Sequence, residues 1–299
     1  MTHLKRRDFL KTTIGVGVGL SGLGNLPLLA AEPGKGAPNA EKLGWRLGCE
    51  VWTFHLFPLF EAIDKTASLG LHYLETGAGW ALTKDRPNVK FGEDSPSAVV
   101  SEVKKKLADS GIKMVGYWPN GFPKEIGLCR KVFDFAKGMG VEVLVGEPEE
   151  DAFDTLEKLC DEYKMSVAIH NHPNPSHYWN PDTVLKVCKG RSKRIGACAD
   201  TGHWMRSGLN PVECLKKLEG RIVSFHFKDV NQAGADAHDV PWGTGVCDVK
   251  GMLTEVYRQG IKPPFMVEYE YHWKTSLPEI AQSVAYFDKV AAELAKKGR

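Results

Sequence analysis

The sequence lacks the patterns that would assign it directly to several large classes of protein. Its seven cysteines contain no CxxC pair and are odd in number, which argues against a zinc ribbon and a dense disulfide scaffold. Most of them lie in apolar runs, so we expect buried free thiols, with disulfides as the alternative. The Gly-rich loop PWGTG (residues 241–245) lacks the spacing of either common nucleotide-binding motif.

An excess of charge of one sign is also missing. The formal net charge is +2, but residues 1–31 carry Lys5, Arg6, Arg7 and Lys11 against Asp8, which leaves about −1 for the rest. A near-neutral body lacks the basic surface that nucleic-acid binding requires, so we expect no nucleic-acid partner. The hydrophobic content of 42% and the charged content of 25% are ordinary for a soluble enzyme.

The N-terminus has the composition of an export signal. KRRDFLK (residues 5–11) resembles the twin-arginine motif, and a weakly apolar stretch ending in small residues at Ala30 and Ala31 follows it. Glycines and Pro27 make this stretch a poor membrane span. We expect residues 1–31 to be a twin-arginine signal peptide and the mature chain to be periplasmic or otherwise extracytoplasmic, with no stable membrane span. A chance Arg pair before a membrane anchor, and a retained lipid-facing tether, are the alternatives.

The rest of the chain predicts one domain. Residues 32–44, rich in Gly, Pro and Ala, are predicted to be a linker, and residues 45–299 the folded domain. Apolar strand patterns alternate there with helical patterns, some of which start at Pro-containing caps such as Asn210-Pro211. The predicted strands are RLGCEVWTF (46–54), HYLETG (72–77), KMVGYW (113–118), VEVLVGEP (141–148), MSVAIHNHP (165–173), IGACAD (195–200), IVSFHFKDV (222–230) and PFMVEYEY (264–271). This alternation predicts an α/β protein with a single closed (β/α)₈ TIM barrel.

In a parallel barrel, the residues at the carboxyl ends of the strands form the active site. The residues at these positions are carboxylates, imidazoles and one indole: Glu75, Trp118, Glu147, His170, His172, Asp200, His203, His226, Glu268 and Glu270. So many ionisable groups at one end of a barrel need a bound partner, because each one alone would be costly to bury. The mixture predicts one divalent cation, either manganese, zinc, cobalt or ferrous iron, since no thiolate is placed to select zinc.

These motifs carry a family resemblance. DTGHW after the sixth strand, SFHFKD at the seventh and MVEYE at the eighth resemble the xylose isomerase-like TIM-barrel superfamily of sugar epimerases, isomerases and lyases, which also includes AP endonucleases. In its ketose 3-epimerases a metal is held by Glu, Asp, His and Glu after strands five to eight, and the two Glu move the proton. The resemblance implies that Asp200, His226 and Glu268 are metal ligands and that His203 contacts substrate.

The fifth strand departs from the epimerase pattern. It carries His170, with His172 facing the same way two residues later, where the epimerases have Glu. Inosose dehydratases of the superfamily look similar here, with a His-rich fifth strand. Glu147, at the end of the fourth strand, is the candidate to restore a second carboxylate as metal ligand or base, with a structural salt bridge as the alternative. We therefore expect Glu147, His170 or His172 to complete the metal shell.

The chemistry implied is proton abstraction next to a carbonyl of a small carbohydrate. A cation that bridges a carbonyl and a neighbouring hydroxyl acidifies the carbon between them and holds the enediolate. The candidate bases are Glu268, Glu147, His170 and His172. Return of the proton gives a sugar isomerase or epimerase, our first expectation. Loss of a β-substituent gives a keto-sugar dehydratase or keto-glycoside lyase, the alternative, and a non-catalytic sugar-binding barrel is the third.

Other residues suit a sugar pocket. Lys228, Arg206, Trp118 and Glu75 are predicted to contact substrate along with His203, although core packing and structural ion pairs are alternatives. Further tryptophans, among them Trp52 and Trp80, lie in or beside predicted strand-end loops. The sequence is compatible with a homo-oligomer but does not decide the oligomeric state.

Overall fold

A computed structural model describes residues 34–297, and in it eight parallel strands close into a barrel. Around the barrel the strands follow the order β1-β10-β9-β8-β7-β6-β5-β2. Their bounds are β1 Arg46–Glu50, β2 Tyr73–Gly77, β5 Lys113–Trp118, β6 Val143–Gly146, β7 Ser166–His170, β8 Ile195–Asp200, β9 Ile222–Phe227 and β10 Pro264–Val267. The predicted TIM barrel is confirmed.

Ten α-helices accompany these strands in the described part of the chain. They are α1 Pro38–Lys42, α2 Leu59–Ser68, α3 Ser97–Asp109, α4 Ile126–Met139, α5 Phe153–Tyr163, α6 Pro181–Cys188, α7 Thr201–Arg206, α8 Pro211–Lys217, α9 Val249–Gln259 and α10 Leu277–Lys297. The predicted cap of α8 is present, because the Asn210 side chain accepts hydrogen bonds from the N–H groups of Val212 and Glu213. No helix among residues 34–297 is long and apolar enough to cross a membrane.

No strand was predicted between the second and third predicted strands. The chain instead forms an antiparallel hairpin of β3 Trp80–Thr83 and β4 Arg86–Phe91. Arg86 stabilises it, since its Nε donates to Thr83 Oγ1 and its guanidinium donates to Glu102 Oε2 on α3 at 2.9 Å. The polar sequence of this segment concealed the pairing, because both strands of the hairpin are partly exposed.

The first predicted strand is too long. β1 ends at Glu50, and Val51–Phe54 forms a turn of 3₁₀-helix. The Glu50 carboxylate accepts a hydrogen bond from the backbone N–H of Trp52, which caps this turn and ends the strand. The apolar run VWTF reads as strand from its composition, but a side-chain cap can redirect the chain within one residue.

The segments before the barrel are described only in part. Within the predicted linker, Pro38–Lys42 is helix α1, whose Asn39 side chain donates to Asp288 Oδ2 on α10 at 2.7 Å. Part of this segment therefore packs on the barrel as a folded element. The predicted signal peptide, residues 1–31, lies outside the described residues and stays a prediction. All seven cysteines are buried and free, as expected.

A small apolar cluster supports the carboxyl end of the barrel. It contains Val145, Ala168 and Cys198, all buried. Ala168 and Cys198 precede His170 and Asp200 by two residues in their strands, so each pair points to the same side of the sheet. The cluster therefore forms the floor on which the polar side chains at the strand ends rest.

Candidate active site

Four buried side chains from neighbouring strands converge at the carboxyl end of the barrel. His170 ends β7, Asp200 ends β8, His226 lies in β9, and Glu268 directly follows β10. One nitrogen or oxygen from each lies within 4.8 Å of the corresponding atom of the other three. The strand ends that the sequence predicted as a cluster are thus brought together.

The unpartnered atoms of these four residues are of the types that bind a divalent cation. Both ring nitrogens of His170, Asp200 Oδ2, His226 Nδ1 and Glu268 Oε2 are buried without a hydrogen-bond partner. Buried polar atoms nearly always have partners in folded proteins, so several unpartnered atoms at one point indicate a binding site. Two imidazoles and two carboxylates suit zinc, manganese, cobalt or ferrous iron.

Lys228 lies against the carboxylates of this group. Its Nζ is 2.8 Å from Asp200 Oδ2 and 2.7 Å from Glu268 Oε2, and it donates a hydrogen bond to Glu270 Oε2 at 2.8 Å. The first two contacts have ion-pair distances without hydrogen-bond geometry, so those two oxygens still lack a directed partner. Burial alone would lower the pKa of Lys228, but the surrounding carboxylates raise it well above its usual value. The structure therefore places Lys228 as a buried counter-ion, and its predicted contact with substrate stays a prediction.

Asp200 has a separate task for each carboxylate oxygen. Oδ1 caps helix α7 by accepting from the N–H of His203 at 2.7 Å. Oδ2 lies 3.5 Å from Nε2 of both His170 and His203. Burial alone would raise the pKa of Asp200, but His203 and Lys228 hold it well below its usual value. The DTGH motif thus fixes the carboxylate through the start of a helix and leaves one oxygen for a ligand.

His226 is oriented by a second buried carboxylate. Its Nε2 is hydrogen-bonded to Glu75 Oε1 at 2.7 Å, and its Nδ1 lies 3.1 Å from Glu268 Oε2. Gly116 on β5 makes room for Glu75, because a Cβ there would lie 2.5 Å from Glu75 Oε2. Glu75 is 1% exposed, so the structure places this predicted substrate contact behind His226. Such a carboxylate orients a metal-binding imidazole.

Glu147 contacts the imidazoles of the fifth predicted strand. Its Oε1 is 2.7 Å from His172 Nδ1 and 3.7 Å from His170 Nδ1, and its Oε2 accepts from Ser176 Oγ at 2.9 Å. Burial would raise the pKa of Glu147, but the neighbouring His170 and the hydrogen bonds with His172 hold it well below its usual value. In return, the hydrogen bond to Glu147 raises the pKa of His172. Glu147 thus lies behind His170 and is paired with His172.

A pocket of about 500 Å³ opens above the four-residue group. Its polar wall is formed by His170, His172, His203, His226, Glu268 and Glu270. Trp118 and His203, both predicted to contact substrate, line it. Arg206 is not part of this lining; its guanidinium donates to Asp239 Oδ1 at 2.9 Å and lies 3.5 Å from Glu270 Oε2. Burial holds the pKa of His203 well below its usual value.

The sequence analysis missed Glu50 as a site residue. Its buried side chain lines the pocket, and burial together with the nearby Glu268 raises its pKa well above the usual range. The rule that identified the other strand ends applies to it, because Glu50 is the last residue of β1. Extending the first strand to Phe54 placed the predicted strand end four residues too late.

Comparisons with known proteins agree with this architecture. The family model described as xylose isomerase-like TIM barrel matches residues 63–290. An inosose dehydratase of Lacticaseibacillus casei is 25% identical over 122 residues, which are 40% of this chain and 39% of that protein. The chain thus matches about two fifths of the length of this curated relative.

Solved structures extend the likeness to most of the chain. A protein from Parabacteroides distasonis ATCC 8503 is 33% identical with a TM-score of 0.67, over 82% of this chain and 99% of that one. A D-tagatose 3-epimerase-like protein has a TM-score of 0.64 at 15% identity, over 85% of this chain and 100% of that one. At such low identity the second likeness concerns the fold alone.

Proposed function

The chain belongs to the xylose isomerase-like TIM barrel family, and on that premise we propose that it is a metal-dependent lyase acting on keto-sugars or keto-glycosides. It removes a proton next to the carbonyl and expels the oxygen substituent β to that carbonyl. The observation that carries this proposal is the pairing of His172 with Glu147 at 2.7 Å on the pocket wall, beside Glu268. The site thereby offers a carboxylate base and an imidazole acid, where an epimerase needs two bases.

The metal would be held by His170, Asp200, His226 and Glu268. When bound, a divalent cation polarises a substrate carbonyl and so acidifies the neighbouring C–H bond. Glu75 holds the ring of His226 in place through a hydrogen bond, and Glu147 lies 3.7 Å from the ring of His170. The naming of a curated relative as a dehydratase supports an elimination reaction.

Glu268 is the proposed base. It lines the pocket, and burial alone would raise its pKa, but Lys228 and His226 hold the pKa well below its usual value. The carboxylate is therefore ionised at neutral pH and can accept the proton from the carbon next to the carbonyl. The electron pair of that C–H bond becomes the C=C bond of the product.

His172 is the proposed acid. Its Nδ1 is engaged by Glu147, which leaves the other ring nitrogen to donate a proton to the departing oxygen as the C–O bond breaks. The products are an α,β-unsaturated ketone and water or an alcohol. His172 then regains a proton from solvent, since its side chain is 49% exposed.

Isomerisation or epimerisation is the second candidate. Glu50 also lines the pocket and could return a proton to the substrate. The two reactions differ in mass balance, because epimerisation exchanges solvent deuterium into sugar of unchanged skeleton, whereas elimination yields a lighter, unsaturated product. A non-catalytic barrel is disfavoured by the four unpartnered ligand atoms that converge below the pocket.

The test uses 3-keto-glucosides, in which the glycosidic oxygen is β to the carbonyl. We expect the metal-loaded enzyme to release the alcohol and the unsaturated ketone, and Glu268→Gln to lose this activity. His172→Gln should lose about 10²- to 10⁴-fold with a methoxide leaving group but much less with 4-nitrophenolate, which needs no acid. His177→Gln is the matched control, since His177 forms a similar pair with Glu150 at 3.0 Å but lies outside the pocket lining.

The proposal fails if these substrates exchange deuterium without elimination, or if His172→Gln affects both leaving groups equally. We also propose that the protein is exported by the twin-arginine route, on the basis of residues 5–11. Arg6→Lys with Arg7→Lys should then retain the full-length precursor in the cytoplasm. Equal export of this double variant would contradict the localisation alone.

A further inference from the structure

A second cavity of about 480 Å³ opens beside the candidate active-site pocket. Trp52, Ala78 and Trp80 line both, so the two spaces meet along one shared wall. The outer cavity is bounded by the turn after β1 and by the β3–β4 hairpin, which sequence reasoning did not find. Each of the two spaces has a volume within the range of pockets that hold a small organic ligand, about 300–1,000 Å³.

Trp52 is exposed and yet firmly held. Its side chain is 47% exposed, although its backbone N–H donates to the Glu50 carboxylate. Its ring stacks on His55 with centroids 4.8 Å apart, and His55 meets the ring of Trp273 edge-on at 4.0 Å. A large aromatic face that is held rigidly in solvent loses little entropy when it binds a flat, partly apolar partner.

The charges of the two spaces differ. The inner pocket contains Glu50, Glu268 and Glu270, whereas the lining of the outer cavity, taken over residues 34–297, contains Lys84 and Lys90 and no carboxylate. The lining of the outer cavity therefore offers aromatic faces and hydrogen-bond donors, whereas the carboxylates lie in the inner pocket. Such a lining suits recognition of a hydroxylated ring.

We infer that the outer cavity binds the second sugar ring of a two-ring substrate whose keto-sugar ring occupies the inner pocket, with Trp52 and Trp80 contacting the ring faces. This inference rests on the proposed lyase function and makes the substrate a keto-disaccharide, in which the glycosidic oxygen crosses the shared wall. The outer ring is then the leaving group, and the reaction releases it as a free sugar.

The two cavities are continuous, which favours a sugar ring over a second protein chain as the occupant of the outer cavity. Trp52 lies only two residues after Glu50, which lines the inner pocket, so one turn of chain joins the two walls. The exposed Leu56 also lines the outer cavity, and a second copy of the chain could cover the patch formed by Trp52 and Leu56. That alternative predicts a change of oligomeric state when Trp52 is replaced.

The test measures binding of unreactive sugars to the full-length Glu268→Gln protein by isothermal titration calorimetry. The two-ring probes are cellobiose, maltose, sucrose and trehalose, and methyl β-glucoside is the one-ring reference. We expect at least one disaccharide to bind about tenfold more tightly than the reference. Adding the Trp52→Ala substitution should weaken the binding of that disaccharide roughly five- to tenfold and the binding of methyl β-glucoside less. Trp179→Ala is the matched control, because this partly buried tryptophan lines neither cavity.

Three results of the binding and light-scattering measurements would overturn the inference. The first is that all four disaccharides bind with the same affinity as methyl β-glucoside. The second is that Trp52→Ala weakens the binding of disaccharides and of methyl β-glucoside equally. The third is a shift of oligomeric state in Trp52→Ala by light scattering, which would assign the patch to a second copy. Elimination from methyl 3-keto-glucoside without any advantage for 3-keto-disaccharides would preserve the lyase and reject the second-ring site. Conversely, disaccharide binding that depends on Trp52, without turnover, would preserve the site and reject the lyase.

Discussion

Lys228 Nζ lies 2.7 Å from Glu268 Oε2 at the centre of the barrel mouth, and the lysine side chain is completely buried. Asp200 and Glu270 approach the same ammonium group at 2.8 Å each. One buried cation therefore partly offsets three carboxylates, two of which are proposed metal ligands. The stability of the metal-free protein and the binding of metal should consequently depend on each other through Lys228.

Lys228→Met should destabilise the metal-free protein strongly. Removing one partner from a buried ion pair leaves uncompensated charge and typically costs about 3–5 kcal/mol of unfolding free energy. Urea unfolding in EDTA measures this loss, and added zinc should restore more stability to the variant than it adds to the wild type. Lys250→Met, which removes an exposed pair with Glu293, should change little. A variant as stable as wild type in EDTA would contradict the role assigned to Lys228.

Asp200→Asn should separate the metal-binding role of this residue from its capping role. The amide oxygen of Asn can still accept from the N–H of His203, so helix α7 should keep its cap. Because the negative charge is lost, the metal content should fall well below one ion per chain, as measured by elemental analysis of the purified protein. Asp182→Asn, an exposed control at the start of α6, should retain full metal. Full metal content in Asp200→Asn and in His226→Ala would reject the proposed ligand set.

The sequence was sufficient to locate four polar residues at the strand ends, because parallel strands deliver their last residues to one edge. His170, Asp200, His226 and Glu268 were located in this way, and the structure brings all four together. The sequence could not show where a long side chain turns after its Cα. Glu75 was therefore expected at substrate, whereas the structure turns it beneath His226.

Two elements, the β3–β4 hairpin and helix α7, were not predicted because one is locally polar and the other is short. The hairpin that contains Trp80 was hidden in a polar segment, since strands with little burial lack the apolar alternation that marks a strand. The helix α7 was missed because the six residues Thr201–Arg206 are too few for a helical period, and only the Asp200 cap identifies its start.

Glu75→Gln should weaken metal binding without removing a proposed ligand. Its carboxylate fixes the ring of His226, and loss of such a supporting carboxylate typically lowers metal affinity about 10- to 100-fold. Competition with a chelator of known zinc affinity measures the change. Glu142→Gln serves as control, since it replaces a carboxylate in a surface pair with Arg46. Unchanged affinity in Glu75→Gln would show that His226 keeps its orientation without this hydrogen bond.

Asp239 should make the stability of the protein depend on pH in a direction opposite to that of most carboxylates. Burial raises the pKa of Asp239 to about 6, although Lys228 and Arg206 act against this. Between its ordinary pKa near 3.9 and about 6 the unfolded chain loses this proton while the folded chain keeps it, so the contribution of Asp239 to stability falls as pH rises.

The raised pKa of Asp239 lowers the unfolding free energy by at most about 2–3 kcal/mol. The full loss is reached above pH 6, and there is no loss below about pH 4. Asp239→Asn lacks the titrating group but keeps an acceptor for the guanidinium of Arg206. Its unfolding free energy relative to wild type should therefore increase as the pH rises from 4 to 7, in urea titrations of both proteins in matched EDTA buffers. If the difference between the two proteins were constant across this range, Asp239 would titrate at its ordinary pKa, and the buried pair with Arg206 would then hold the carboxylate ionised.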